Sequence, residues 1–392
     1  MQRIVIKNLP EAMNLVKEMH LRSDDEWTGD YRIAAKDAIA QFLKDRMDER
    51  VTHHLSYAHE CSISDRKNGS YLRHLLTEIG DVLLTIPRTR TYSPKKVIVA
   101  YARRCKEVDR LILACFLLGL STRKVGKALL AILGEKVSPS TVSRVAKTLD
   151  DAVMAFHKRR LNNLYKALIF DGVVLSRRTG AGAIKRPVLV ALGIRYDGKK
   201  EIIDFRVSSS ESATEWELFL TDLYKRGLTG EEVGIISVDG GKGLLAALPV
   251  AYPNIPIQRC WAHKMRNIID KVRKKDRKSV KEGLVKIYSA DDMVEARSLG
   301  RKWADRWQTI YPKAVKCLKN DLDELLTCFQ FKDAHYRKSI RTTNAIERVF
   351  KEVRRRTRPM GVFSDRTSME RILYAVFTYE NESEGVYPVF MV

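Results

Sequence analysis

Three acidic side chains stand where this sequence can handle phosphate. Asp171 closes the apolar run ALIF and Asp239 closes IISV, and each is followed by glycine, Gly172 in one case and Gly240 with Gly241 in the other. Glycine after a strand-end carboxylate lets the backbone turn and leaves room for a ligand. Two carboxylates side by side repel each other unless a cation sits between them, and hard oxygen donors suit Mg²⁺ or Mn²⁺. The third acid, Glu347, opens a basic segment in which six of the eleven residues from Arg348 to Arg358 are Lys or Arg. On a helix, Ile346, Val349, Phe350 and Val353 form the buried stripe and Glu347 lies on its flank. From there it can reach over a sheet toward the aspartates, while Arg354, Arg355 and Arg356 hold phosphates. Each acid also has a plainer reading. A strand-end Asp can cap a turn, Asn344 and Glu347 fit a capping box, and Glu347 with Lys351 fits a surface pair worth a few tenths of a kcal/mol. The combination, in the strand order below, favours metal-assisted chemistry.

For the two aspartates to meet, their strands must be neighbours. ALIFDGVVL and RPVLVALGIRY read as strands, DGKK as a hairpin turn and EIIDFRVS as a third strand. A helix over SATEWELFLTDLYKRG follows, then the strand VGIISVD, a helix over KGLLAALPVA and the short strand IPIQR. Three antiparallel strands, a crossover helix and further strands give the order of a ribonuclease H-like fold, in which the first and fourth strands are adjacent. The fold class is therefore α/β, with a mixed-sheet catalytic core. Its first part covers 161–275, a helical insertion covers 276–335, and its C-terminal helices cover 336–392.

Helical DNA-binding regions are expected ahead of this core. Residues 1–60 read as helical, with YRIAAKDAIAQFLKDRMDERV at helical spacing. Residues 61–105 form a small β-containing basic region, whose strand in EIGDVLLTIPRTRTYSP ends at Pro87 and is followed by Arg88, Arg90, Lys95 and Lys96. Residues 106–160 alternate helix, Gly119, helix, Gly134, helix, and Ser138 with Pro139 starts the last helix. That pattern suits a helix-turn-helix with Ser140, Thr141, Ser143, Arg144 and Lys147 near the start of the recognition helix. Three helices serving as a spacer are the alternative. His53, His54, His59 and Cys61 gather nearby in sequence, which a half-exposed polar stretch explains equally well.

Charge narrows the class of partner. The 392 residues carry 71 Lys and Arg against 48 Asp and Glu, a net +23. Residues 1–60 hold nine basic and eleven acidic groups, so the other 332 residues carry +25. A polyanion such as double-stranded DNA fits that excess. A membrane does not, because the longest apolar run, LILACFLLGL, is half the length a bilayer requires and reads as a buried helix. Six cysteines without regular spacing and no signal-like opening point to a reduced, cytoplasmic protein.

The segments LIFDGV, ALGIRYDGKKEIIDF, SESATEWELFLTDLYKRGL, SVDGGKGLLAALPVAYPNIPIQRCWAHKMRN and RTTNAIERVFKEVRRRTRPMGVF resemble the Mutator-type transposases of bacterial insertion sequences. The likeness runs from about residue 60 onward. It implies a DDE transposase whose acids fall on Asp171, Asp239 and Glu347, 68 and 108 residues apart, with a helical insertion filling the second gap. A tryptophan associated with that insertion is replaced near Leu322, and Trp303 and Trp307 lie close by in sequence. Cys260 and His263 match the family's C-x-x-H signature. A zinc site needs two more ligands, and none follows at matching spacing, so the pair is read as structural support.

The activity implied is two-cation phosphoryl transfer, in which water nicks the element end and the freed 3′-hydroxyl attacks target DNA. The partners implied are terminal inverted repeats and target DNA, with a homodimer or larger assembly on them, and the resemblance favours a copying route through a circular intermediate. Two other readings stand beside it: a DNA-binding regulator that has lost catalysis, and a structure-specific nuclease of the same fold.

Overall fold

Met47, Val51 and Ala58 are the buried positions of one long helix, α1 (Trp27–Glu60). It belongs to a computed structural model in which residues 27–94, 104–118, 120–133, 137–179, 182–357, 363 and 365–386 are described. The chain divides into two units, Met1–Thr148 and Leu149–Val392.

In the first unit, α1 packs on an antiparallel ribbon of β1 (Lys67–Thr77) and β2 (Gly80–Thr89). Alternate residues Val82, Leu84 and Ile86 meet Met47 in a small core. Two corrections to the sequence reading arise here. β2 runs through Pro87 to Thr89, with Pro87 opposite Ser70, and β1 had no counterpart in that reading. A two-stranded ribbon has an unpaired edge on each strand, where a residue lacking an N–H is tolerated. Asp65 ties the ribbon to α1, accepting bonds from Thr91 Oγ1 at 2.5 Å and the Arg90 N–H at 3.0 Å while lying 3.0 Å from His54 Nε2. His54 also stacks on Tyr92, whereas His53, His59 and Cys61 are exposed.

Three further helices are described in this unit: α2 (Lys106–Leu117), α3 (Thr122–Leu133) and α4 (Pro139–Ala146). The Ser138 hydroxyl caps α4 by accepting the Thr141 N–H at 3.1 Å, with Pro139 at the first helical position. A Cβ on Gly126 would stand 2.2 Å from the Val137 carbonyl oxygen, so α3 and the approach to α4 touch backbone to backbone. Gly119, Gly134, Lys95 and Lys96 lie outside the described residues.

The second unit begins with α5 (Leu149–Lys158), grouped by the sequence reading with the helices before it. Five strands follow: β3 (Tyr165–Thr179), β4 (Gly182–Arg195), β5 (Lys200–Val207), β6 (Ile235–Val238) and β7 (Ile257–Arg259). Their order in the sheet is β5-β4-β3-β6-β7. β3, β4 and β5 are antiparallel neighbours, and β6 lies parallel to both β3 and β7. A parallel neighbour requires a crossover, supplied by α6 (Ala213–Lys225) before β6 and α7 (Lys242–Ala251) after it. Gly198, at φ +84°, makes the β4–β5 turn that DGKK announces.

Leu168, Phe170, Leu189, Ala191 and Ile203 pack on α6 and α7 through Trp216, Phe219, Leu220, Leu244 and Leu248. The helical run from the sheet's last strand comprises α8 (Trp261–Ile269), α9 (Arg277–Tyr288), α10 (Met293–Trp307), α11 (Pro312–Lys319) and α12 (Leu322–Leu326). It has its own core, in which Trp303 and Trp307 are buried and the Trp303 Nε1–H donates to the Val280 carbonyl at 3.1 Å. Then come α13 (Ala334–Ile340), α14 (Asn344–Thr357) and α15 (Arg366–Ser383). Phe350 of α14 and Phe205 of β5 meet on Phe377 of α15, at 5.7 and 5.1 Å between ring centroids. Arg371 of α15 grips Asp150 of α5 with two bonds, at 2.5 and 2.8 Å. Among the described residues no helix is long and apolar enough to cross a membrane.

Candidate active site

The parallel ladder between β3 and β6 ends at the pair Phe170 and Val238. Asp171 and Asp239 are therefore the first residue beyond it on each chain, as adjacent first and fourth strands require. One expectation fails in detail: Asp171 does not end its strand, because β3 continues to Thr179 and pairs Asp171 with Val190 of β4. Gly172 is thus an in-strand residue. A Cβ there would stand 2.9 Å from Glu211 Oε1. After Asp239 the chain does turn, with Gly240 at φ +95° and the Gly241 N–H donating to Asp239 Oδ1 at 2.8 Å.

Asp171 is 3% exposed. Burial pushes its carboxyl up to about 7, and the charge of Asp239 pushes the same way against a Thr343 bond and the charge of His263. The Glu211 carboxyl is raised as well, by burial and then by Asp239. Burial is thus the leading cause of the Asp171 shift, and the charge of His263 offsets it only in part.

Glu347 sits in the first turn of α14. Its carboxylate does not turn back to Asn344 or toward Lys351. It lies 3.5 Å from His263 Nε2 and 3.5 Å from an Arg266 guanidinium nitrogen, both on α8. Asn344 is itself the first helical residue, so the capping-box reading does not hold. The other imidazole nitrogen of His263, Nδ1, is 3.3 Å from Cys260 Sγ and 3.4 Å from Thr343 Oγ1. Thr343 donates its N–H to the same sulfur at 3.3 Å, and the Trp261 N–H donates to the Arg341 carbonyl at 3.0 Å. Cys260 and His263 thus lock α8 to the loop that launches α14. The Cys260 bond raises His263 to about 9 against the effect of burial, and the charges of Asp171 and Asp239 add to the rise. Burial works to raise the Cys260 thiol, but its bonds to His263 and Thr343 outweigh that and lower it.

The acids form an open set. Among the described residues, the only His, Cys, Asp or Glu trio whose ligand atoms all lie within 4.8 Å is Glu78, Cys105 and Glu107 of the first unit. The charge of Asp239 acts on Asp171, while Glu347 is linked to them through His263, whose charge also acts on Asp171.

A family model described as "Transposase, Mutator family" matches residues 11–384. The chain belongs to the Mutator family of transposases. Curated relatives agree. The transposase for insertion sequence element IS905 of Lactococcus lactis is 33% identical over 313 residues, 79% of this chain and 78% of that protein. The transposase for IS256 in transposon Tn4001 of Staphylococcus aureus is 31% identical over 350 residues, 87% of this chain and 88% of that protein. The IS406 transposase of Burkholderia multivorans is 32% identical over 347 residues, 88% and 86% of the two chains. Membership makes this a DNA-processing enzyme with DNA as its partner.

In this Mutator-family chain the basic residues singled out in the sequence divide by exposure. Arg354 and Arg355 are exposed, but Arg355 pairs with Glu352 at 2.8 Å. Arg356 differs from them: it is 7% exposed, bonded to Glu352 at 2.9 Å and set over the Tyr379 ring, so its guanidinium is engaged within the fold. On α4, Ser140, Ser143 and Arg144 are exposed and Thr141 is half-buried. Lys147 is exposed but caps the far end of this eight-residue helix, and so is not near its start. Three residues of the site escaped sequence reading. Thr343 and Arg266 had only their nearness to Glu347 and His263 to signal them. Glu211, within SSSESATEW, has no motif of its own to mark it.

Proposed function

We propose that this chain is a DDE transposase of an insertion sequence. On this reading it binds the element's terminal inverted repeats and catalyses divalent-metal-dependent strand cleavage and strand transfer. The five-stranded sheet with its crossover helices is taken as a ribonuclease H-like core, interrupted by the helical insertion. The observation that carries the reading is the register of β3 and β6, which sets Asp171 and Asp239 side by side with a carboxyl pushed up to about 7.

The donor set fits Mg²⁺ or Mn²⁺ in its chemistry: three carboxylates, hard oxygen ligands, two of which raise each other's cost of ionising. Asp171, Asp239 and Glu347 would hold the metal. When bound, such a cation would supply Lewis-acid chemistry for activating a water or 3′-hydroxyl and for stabilising the leaving oxygen. The chain's own residues do the positioning. Asp171 is fixed by the sheet and by Thr343, and Asp239 by the Gly241 N–H. Glu347 is held on the α8 side by His263 and Arg266, and these cations balance its charge. Exposed Arg354 follows Glu347 by two helical turns and meets the DNA backbone. In the first unit, Ser140, Thr141, Arg144 and Lys147 contact the repeats, and two copies of the chain bring two element ends together.

The deciding experiment is strand transfer of a labelled element end into target DNA with Mg²⁺. Asp239→Asn is expected to lose joined product about 10³-fold or more, as when a group that stabilises charge in the transition state is removed. Equal activity of the variant and its parent would refute the catalytic reading. Cleavage without joining would instead assign a nuclease.

A further inference from the structure

Two short segments of the second unit support the acids, and each also borders something else. His263 lies beside Glu347, and Thr343 bonds to both Cys260 and Asp171. Their chain neighbours Ala262 and Thr342 line a separate cavity of about 370 Å³. One residue along each segment therefore divides this cavity from the acids. Its wall is drawn from α8, the end of α9, α13 and the start of α14, with Lys200 of β5 added to them.

That wall is suited to negative charge. Of its eleven residues, Lys200, Lys338 and Arg341 are cations and none is an acid, in a chain that holds 48 Asp and Glu. Among the described residues Lys200 and Lys338 have no ion pair and no side-chain hydrogen bond, although Lys200 also borders a smaller cavity lined in part by Glu380 and Glu384. Arg341, half-buried, is held without any carboxylate. Its guanidinium lies 4.5 Å from the centre of the Tyr288 ring, and Nη1 donates to the Tyr288 carbonyl at 2.9 Å. Other enclosed arginines of this unit are neutralised by the chain itself, Arg226 by Asp204 and Asp222, and Arg371 by Asp150. Like charges gathered without a counter-charge repel, and a partly buried one left unpaired is costly. Asn344 and Ala345, the first residues of the 14-residue α14, line the same space, so the positive end of that helix adds to its sign. The missing counter-charge is therefore one that a ligand brings.

We propose that this cavity is a phosphodiester subsite, in which Lys200, Lys338 and Arg341 hold a backbone phosphate of the DNA strand that lies across the acids. This rests on the reading of Asp171, Asp239 and Glu347 as acting on DNA. The free oxygens of a diester can be shared between a guanidinium fork and two ammonium groups. Because α14 supplies both part of the wall and Glu347, the grip fixes the strand relative to that acid.

The test is binding of a labelled element end by the full chain, with chelator present, read by fluorescence anisotropy over a range of salt. Lys200→Ala and Lys338→Ala are each expected to lower the slope of log affinity against log salt by about 1, and the double variant by about 2. Lys225→Ala, at an exposed position in the last turn of α6, is the control and should keep the parent's slope. Circular dichroism and thermal melting check that each variant is folded. In a second arm, single phosphates around the element's end are replaced by uncharged methylphosphonates. At least one such linkage should weaken binding by the parent and leave folded Lys338→Ala indifferent. Parent-like slopes in both lysine variants, an equal fall in Lys225→Ala, or a methylphosphonate penalty that survives at every linkage in Lys338→Ala overturns the proposal. Strand transfer by Asp239→Asn separates the two levels. If that variant is inactive while the lysine variants bind as the parent does, only the subsite is refuted. If it is as active as the parent, the catalytic reading falls, and the placing of this phosphate beside a reacting strand falls with it.

Discussion

Replacing Asp171 by asparagine should make the metal-free protein more stable, and by an amount that depends on pH. The carboxyl is raised from its ordinary 3.8 to about 7, chiefly by burial and next by Asp239. Between those values the folded state binds more protons than the unfolded one, so stability falls as pH rises from about 4 to about 7 and is level above that. At about 1.4 kcal/mol for each tenfold step, the full effect is on the order of 4 kcal/mol. Asp171→Asn keeps the shape and cannot ionise. Its advantage over the parent should be absent near pH 4 and reach a few kcal/mol at pH 8. Urea unfolding in the presence of a chelator measures this. Tryptophan fluorescence is a suitable probe, because Trp216, Trp261, Trp303 and Trp307 all lie in the second unit. Added Mn²⁺ at about 100 times its dissociation constant should return about 2.7 kcal/mol to the parent and little to the variant. Parallel stability profiles for the two proteins between pH 5 and 8 would refute the claim that Asp171 is buried against a like charge.

Other perturbations read other parts of the site. Cys260→Ala removes the leading cause of the raised His263 value, so the imidazole should titrate well below about 9 in nuclear magnetic resonance spectra. His263 contributes stability in full below its unfolded value and loses it as pH rises through about 9; in the variant that contribution should be smaller and its loss complete at lower pH. Gly243→Ala forces a methyl into the Glu211 carbonyl at 2.1 Å and should cost about 1 to 3 kcal/mol in thermal or urea unfolding. Arg356→Ala should lower stability by about 1 to 3 kcal/mol and leave the salt dependence of DNA binding unchanged. Arg354→Ala should do the reverse, reducing the slope of log affinity against log salt by about 1.

Legibility in the sequence followed the range of the forces involved. The strands of the sheet, the DGKK turn and the helices over SATEWELFLTDLYK and KGLLAALPVA were readable because alternation, helical spacing and caps are local signals. They recur in β4, β5, α6 and α7. The pairing of Asp171 with Asp239 was readable one step further, since strand order places the two chains side by side. What could not be read depends on contacts between distant segments. β1 is exposed along most of its length, so no apolar alternation marks it. The burial of Arg356 depends on Tyr379, which approaches from another helix.

Gly172 shows the limit most clearly. Reading forward along the chain, glycine after Asp171 signals a turn, and β3 does not turn there. The side chain that a Cβ there would meet belongs to a residue 39 positions later, which only the folded sheet brings back. The same holds for Glu347, whose local alternatives were a cap and an i,i+4 pair. Its carboxylate instead faces His263 and Arg266, 84 and 81 residues earlier. Local free energies of a few tenths of a kcal/mol yield readily to a cationic pair fixed by tertiary structure. An acid that gives up its local partners for distant cations is therefore better evidence of a site than an acid whose motif is satisfied in place.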